Sequence, residues 1–232
     1  MKENPHQPPR HIGFILDGHR RWAQEHGIPL LEGHRQGYKN FKKIGLAALD
    51  RGVECVSAYV WSKENWQRSA EEVGYIMKLL LWVAKHELKE IHERGVRICF
   101  LGNDERLDPK ILKAIKHAET VTKDNTKGTL ALCLNYGGQQ EIVDATKAII
   151  KEGIAPAEIT PERFESFLYA PEIPPVDLLI RSSGEQRISG FMLWRIAYAE
   201  LMFVDKKWPD FSIEDLDAAL AEYSSRQRRF GA

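Results

Sequence analysis

The chain has 232 residues, 43% hydrophobic and 28% charged, with 33 basic against 33 acidic side chains, which suits one water-soluble domain with a full core. Balanced charge excludes a global field drawing it to nucleic acid, so any anion site is local. No apolar run approaches a membrane span and residues 1–10 lack the apolar centre of a secretion signal, so a cytoplasmic protein is expected.

Proline-rich residues 1–10 read as a flexible N-terminal arm, and residues 11–232 as a single domain. Residues 12–16 form a short apolar run of buried-strand length, broken at Asp17-Gly18 by a segment of helical composition. Residues 33–51 set Phe41, Ile44, Leu46, Ala47 and Leu49 opposite lysines, as a surface helix does, and Gly52 ends it. Residues 53–61 are β-branched and aromatic, hence a second strand, which stops at Ser62-Lys63-Glu64-Asn65-Trp66. Residues 71–94 then predict one long helix with an unusually broad apolar face, formed by Val73, Ile76, Met77, Leu80, Leu81, Val83, Ala84 and Leu88. Taken alone, that face is either ordinary core or the wall of an apolar tunnel.

The alternation continues with strands at 96–101, 129–135 and 176–180, helices at 109–123 and 139–151, and an apolar helix-like segment opening at Phe191. Strands separated by helices predict an α/β fold, a mostly parallel central sheet with helices on both faces. Cys55, Cys99 and Cys133 each lie inside a strand-like run without CxxC spacing, and read as buried, reduced thiols.

Two stretches carry chemistry. In the first, Asp17 stands at a strand's C-terminal end, where open α/β sheets place ligand crevices; Gly18 admits close approach to the backbone, and Arg20 and Arg21 add positive charge. A lone carboxylate beside anion-binding groups suggests a diphosphate held with a divalent metal; the competing reading is that Asp17 caps a helix and the arginines are solvated. In the second, R-S-S-G-E-Q-R-I-S at 181–189 offers arginine forks and serine hydroxyls at another strand end, as a phosphate needs; the competing reading is a surface loop whose arginines pair with Glu185 and Glu200. Two anion sites at one sheet edge imply two phosphorylated substrates. Neither G-x-x-x-x-G-K-[ST] nor G-x-G-x-x-G occurs, which argues against a nucleotide-dependent enzyme.

The segments D-G-x-R-R-W-A at 17–23, G-H at 33–34, S-x-E-N-W-x-R at 62–68, N-Y-G-G at 135–138, R-S-S-G-E-Q-R-I-S at 181–189, L-W-x-x-A-Y-A-E at 193–200, W-P-D-F at 208–211 and R-F-G at 229–231 together resemble the cis-prenyltransferases typified by undecaprenyl diphosphate synthase. That resemblance implies a transferase and a homodimer, condensing isopentenyl diphosphate head-to-tail onto an allylic diphosphate such as farnesyl diphosphate with Mg²⁺. It places Asp17 as the essential metal-linked carboxylate, with Ser62 and Asn65 as further candidates in proton removal. It puts Gly18, His19, Arg20, Arg21, Trp22, His34, Trp66 and Arg68 around the allylic diphosphate, with Trp66 shielding the reacting centre. Arg181, Arg187, Ser189, Arg229 and Gly231 fall around isopentenyl diphosphate, and Glu200 becomes a second metal carboxylate reaching across the dimer. It also favours an apolar tunnel walled by residues 71–94, Val60 and Leu132, and a peripheral, transient membrane contact for product release. Three positions depart from the family pattern: His19 for the usual Asn, Leu30 for Arg and Gly190 for Asn. These keep open a short-chain or head-to-middle, lavandulyl-type member; from other classes, a noncatalytic partner subunit or an anion-binding regulator competes.

Overall fold

The computed structural model describes residues 7–226. Its elements in chain order are β1 (His11–Ile15), α1 (His19–Glu25), α2 (Leu30–Asp50), β2 (Cys55–Ser62), α3 (Ala70–His86), α4 (Leu88–Glu93), β3 (Val96–Leu101), α5 (Pro109–Thr122), β4 (Gly128–Tyr136), α6 (Gly138–Lys151), α7 (Pro161–Glu165), β5 (Leu178–Arg181), β6 (Glu200–Phe203) and α8 (Ile213–Ser225). A 3-10 segment, Lys63–Gln67, follows β2. Of the expected arm, residues 1–6 lie outside the described residues, whereas Pro9 is buried and the Arg10 carbonyl accepts the Glu54 and Cys55 N–H groups.

Six strands pair in the order β3-β4-β2-β1-β5-β6, and every pairing is parallel. Parallel strands are sandwiched between layers and so read as unbroken apolar runs; β1 is buried at each of its five residues. From β1 the chain passes to β2, then to β3 at the far edge with β4 filling the place between them, and returns to the other side of β1 for β5 and β6. The order therefore reverses between β1 and β5. At such a switch point the flanking connections leave in opposite directions, opening a crevice at the C-terminal strand ends.

Side chains alternating along the strands feed two cores. On one face Ile12, Phe14, Val56, Ala58, Leu178 and Ile180 pack with Phe41 and Ile44 of α2, Leu216 of α8, and Trp208 and Phe211. On the other, Ile15, Ala131, Cys133 and Leu179 meet Tyr136, Ile173, Phe191 and Met192, and Tyr136 Oη donates to Glu141 of α6 at 2.5 Å. All three cysteines are free and buried as expected; burial raises the Cys99 thiol to about 12.

Element ends shift by a few residues from the sequence reading, and three departures go further. The long helix ends at Glu87, which closes α3 and opens α4. The helix expected from Phe191 is a run of turns, because Ser189, Gly190 and Met192 hold φ of 48, 75 and 43°, values a right-handed helix cannot contain. Residues 200–203 form an unforeseen sixth strand, pairing Glu200 with Leu178 and Phe203 with Arg181.

Candidate active site

The crevice between β1 and β5 is built by backbone turns that face one another. Gly18 holds φ 97°, and a Cβ there would stand 2.7 Å from Ser183 Oγ, so the position demands glycine for conformation and space. The Asp17 N–H donates to Ser182 Oγ at 2.9 Å, Ser182 Oγ donates to the Asp17 carbonyl at 3.0 Å, and the Trp208 N–H donates to that carbonyl at 2.9 Å. Residue 17 is thus pinned through its main chain, leaving its carboxylate for other partners.

That carboxylate is the centre of the site. Oδ1 accepts the Gly18 N–H at 2.7 Å and Oδ2 accepts Arg181 Nη2 at 2.8 Å; Arg21 lies 3.8 Å from Oδ1. Arg181 is 4% exposed against 32% for Asp17, and its other terminal nitrogen donates to Ser189 Oγ at 2.9 Å and the Arg187 carbonyl at 2.5 Å. The buried guanidinium therefore welds the two chemical stretches together, and its Nε is left without a partner among the described residues. Asp17 is not the helix cap, a place taken by Gly18. Arg187 pairs with Glu185, as the solvated-loop reading had it, but Arg181 does not.

A second cluster stands beside it. The His19 ring lies against α2, where a Cβ on Gly37 would come within 2.0 Å of its Nε2, and it meets the His34 ring at a tilt of 34° with centroids 5.3 Å apart. Burial pushes His19 down to about 3, helped by His34, and burial likewise lowers His34 despite its bond to Glu72 at 3.1 Å. Glu72 also takes Arg68 Nη1 at 2.7 Å and lies 4.0 Å from Arg20. The sequence reading missed Glu72, which stands in the first turn of α3 while Arg68 precedes that helix in extended backbone, so no helical spacing flagged the pair; it also passed over Ser182. Asn65 Oδ1 accepts the Ser62 N–H at 3.1 Å, closing a capping box at the start of the 3-10 segment.

Other expected site residues fall elsewhere. Trp22 Nε1 donates to Asp210 Oδ1 at 2.7 Å on the surface. Trp66 donates to Asn135 Oδ1 at 2.7 Å and does not line the cavity described below. Glu200 opens β6 level with Leu178 and Ile12, so it lies roughly 19 Å from Asp17, at about 3.3 Å per residue along the strands and about 4.8 Å per strand across them, paired with Arg226 at 2.9 Å. Within one chain the two carboxylates are not brought together. Arg229 and Gly231 lie outside the described residues.

An apolar cavity of about 210 Å³ opens beside the second cluster, where His19, His34, Asn65 and Arg68 line it. Its walls are Val60, Trp61, Leu132 and Leu134 of the sheet, Phe41 of α2, Ile76, Leu80, Leu81, Val83 and Ala84 of α3, and Ile111, Ala114 and Ala118 of α5. Most of the broad apolar face of the predicted long helix faces this space, while Val73 and Met77 pack against the Trp61 cluster.

The chain thus combines a carboxylate–guanidinium pair at the switch point with an apolar cavity edged by His19, His34 and Arg68, and comparison with known proteins identifies its family. Residues 15–231 match the family described as "Putative undecaprenyl diphosphate synthase". "Isoprenyl transferase 2" of Corynebacterium efficiens is 44% identical over 96% of this chain and 93% of its own. The "Trans,polycis-polyprenyl diphosphate synthase ((2Z,6E)-farnesyl diphosphate specific)" of Thermobifida fusca is 43% identical, over 96% and 80%. Among solved structures, lavandulyl diphosphate synthase from Lavandula x intermedia, in complex with dimethylallyl diphosphate, superposes with a TM-score of 0.92 at 35% identity, covering 97% of this chain and 99% of that one. The chain belongs to the undecaprenyl diphosphate synthase family of prenyltransferases.

Proposed function

We propose that the protein condenses isopentenyl diphosphate head-to-tail onto an allylic diphosphate, with farnesyl diphosphate as the natural primer, and releases diphosphate. The observation that carries this reading is the Asp17–Arg181 pair at 2.8 Å, set at the switch point beside a cavity that suits a prenyl tail. Arg21, Arg20 and Arg68 would draw the allylic diphosphate toward Gly18, and Arg181, Arg187 and Ser189 the isopentenyl diphosphate. The cavity serves as the start of the tunnel for the growing chain, whose burial contributes roughly 0.8 kcal/mol per CH₂.

Chemically, the allylic C–O bond breaks, its electron pair leaves with diphosphate, and the double bond of isopentenyl diphosphate attacks the allylic carbon. A proton is then lost from the isopentenyl unit, with Ser62, Asn65 or Asp17 as candidates to pass it to a phosphate oxygen. Arginines fixed before the reaction stabilise the charge that grows on the leaving group without reorganising.

Mg²⁺ takes one or two carboxylates and completes its shell with substrate phosphates and water. Asp17, with its carboxylate 32% exposed, fits that role, and no cluster of three His, Cys, Asp or Glu among the described residues offers a closed metal cage. When bound, the ion would neutralise charge on the departing diphosphate. We also infer a homodimer: Tyr198 is 75% exposed and Leu201 41% exposed beside Glu200 at the β6 edge, an apolar patch that a second copy would cover and that would let Glu200 act across the interface. No helix among the described residues is long and apolar enough to cross a membrane, and transient bilayer contact for product release belongs to the same reading.

The likeness to lavandulyl diphosphate synthase, with His19 and Leu30 where the family carries Asn and Arg, favours one second reading, head-to-middle coupling of short substrates. Incubating the protein with farnesyl or dimethylallyl diphosphate, labelled isopentenyl diphosphate and Mg²⁺, then identifying the product skeleton, tests both. Linear cis products support head-to-tail synthesis; a branched skeleton establishes the second reading, and no product overturns both.

A further inference from the structure

We propose that Trp66 and Asn135 form a strut that positions Asn65 and Arg68, and that Trp66 is not itself a contact to the allylic substrate. The proposal rests on the reaction assigned above. It arises from the N-Y-G-G segment at 135–138, to which that reaction gives no task.

Asn135 stands near the end of β4, 2% exposed, with φ 49°; asparagine is among the few residues that accept this left-handed conformation readily. Its Oδ1 accepts the Trp66 indole N–H at 2.7 Å. Its Nδ2 donates to the carbonyls of Asn103 at 2.9 Å and Glu105 at 2.7 Å, with Asn103 Oδ1 at 3.1 Å. The amide has no freedom to flip, since an indole only donates and a carbonyl only accepts.

Trp66 is restrained from two further directions. Its ring meets Trp61 edge-on at 5.6 Å, and the Arg106 guanidinium lies 4.6 Å from its centroid. It packs with Ile76, Leu107, Ile111 and Leu134, whereas the cavity is lined by Trp61, Asn65 and Arg68 on either side of it in sequence. A five-residue 3-10 segment has too few internal bonds to hold its own place. The indole is what fastens it to the sheet, and Asn65 and Arg68 are carried with it. The same end of β4 grips the opposite loop, where the Gly138 N–H donates to the Gly190 carbonyl at 2.9 Å.

The test is a double-mutant cycle of Trp66→Phe, which keeps an aromatic ring and loses the N–H, with Asn135→Ala, read in steady-state turnover of farnesyl and isopentenyl diphosphates. Each single change is expected to raise KM for the allylic diphosphate about tenfold and leave KM for isopentenyl diphosphate within about twofold. The pair together should stay near tenfold rather than the roughly hundredfold of independent residues. Multiplicative effects, an unchanged allylic KM in Trp66→Phe, or equal movement of both KM values would overturn the strut. Should Asn135→Ala not fold, Trp66→Phe alone decides, because it leaves β4 and the 103–105 loop in place. A wild-type chain with no turnover would sink the reaction instead, and the same variants, titrated with inorganic diphosphate by calorimetry, would still decide the strut.

Discussion

Replacing Asp17 by Asn separates what this side chain does for the fold from what it does for the reaction. The main chain of residue 17 is held by Ser182 and Trp208 whatever its side chain, and Asn retains an oxygen for the Gly18 N–H now 2.7 Å from Oδ1. The loss is the charge-assisted bond to Arg181 at 2.8 Å, about 1.5–3 kcal/mol, and Arg181 keeps its bonds to Ser189 and Arg187. Because Asp17 is about one-third exposed, solvent screening puts the cost toward the lower figure. At about 2–4 °C per kcal/mol for a domain of this size, Tm should fall by roughly 3–8 °C. Turnover should fall by about 10³-fold or more, since the carboxylate that would hold the metal is gone. Thermal melts and labelled-isopentenyl turnover, measured on the same preparation, check both halves. Turnover within tenfold of wild type would refute the assigned role, and a collapsed fold would show that the carboxylate is chiefly structural.

Glu141→Ala should strike stability far from the chemistry. The Glu141–Arg195 pair is 2.7 Å long and only 1% and 4% exposed, so removing the acid strands a buried guanidinium at about 3–5 kcal/mol, read as a large drop in the denaturant midpoint. Acid should destabilise the fold through His11, which burial lowers to about 4 from its usual 6.5. Between those pH values the unfolded chain takes a proton the native imidazole refuses, so stability falls as pH drops from 6.5 towards 4, by up to ~3 kcal/mol at about 1.4 kcal/mol per pH unit. Urea titrations across that range should show a steep slope in wild type and a shallower one in His11→Gln, the remainder coming from the buried His19 and His34. Ala114→Phe, on the α5 wall of the cavity, should shorten products with little change in the first condensation; chromatography of the product ladder gives the answer, and an unaltered ladder would remove the cavity from chain growth.

The local sequence carried much of this architecture. Five apolar runs separated by amphipathic segments foretold the first five strands, because a strand buried on both faces leaves its apolarity in consecutive residues. β6 escaped because Glu200–Phe203 is half-exposed at a sheet edge, and its pairing with β5 is a contact no local pattern records. The turns after Ser189 escaped as well: apolar Phe191, Met192 and Trp194 mimic a helix, and only left-handed φ values at Ser189, Gly190 and Met192 forbid one.

Residue identity by itself determined which groups could meet a diphosphate, Asp17 with Arg20 and Arg21, and Arg181 with Ser189, since charge and hydrogen-bonding capacity belong to the side chain alone. Only the tertiary structure decided that Arg181 reaches back across 164 positions to Asp17, that Glu200 stands away from it, and that Trp66 turns to Asn135 instead of the cavity. Strand order and backbone φ set those distances, and both are settled by packing among segments remote in sequence, where no single stretch holds the information.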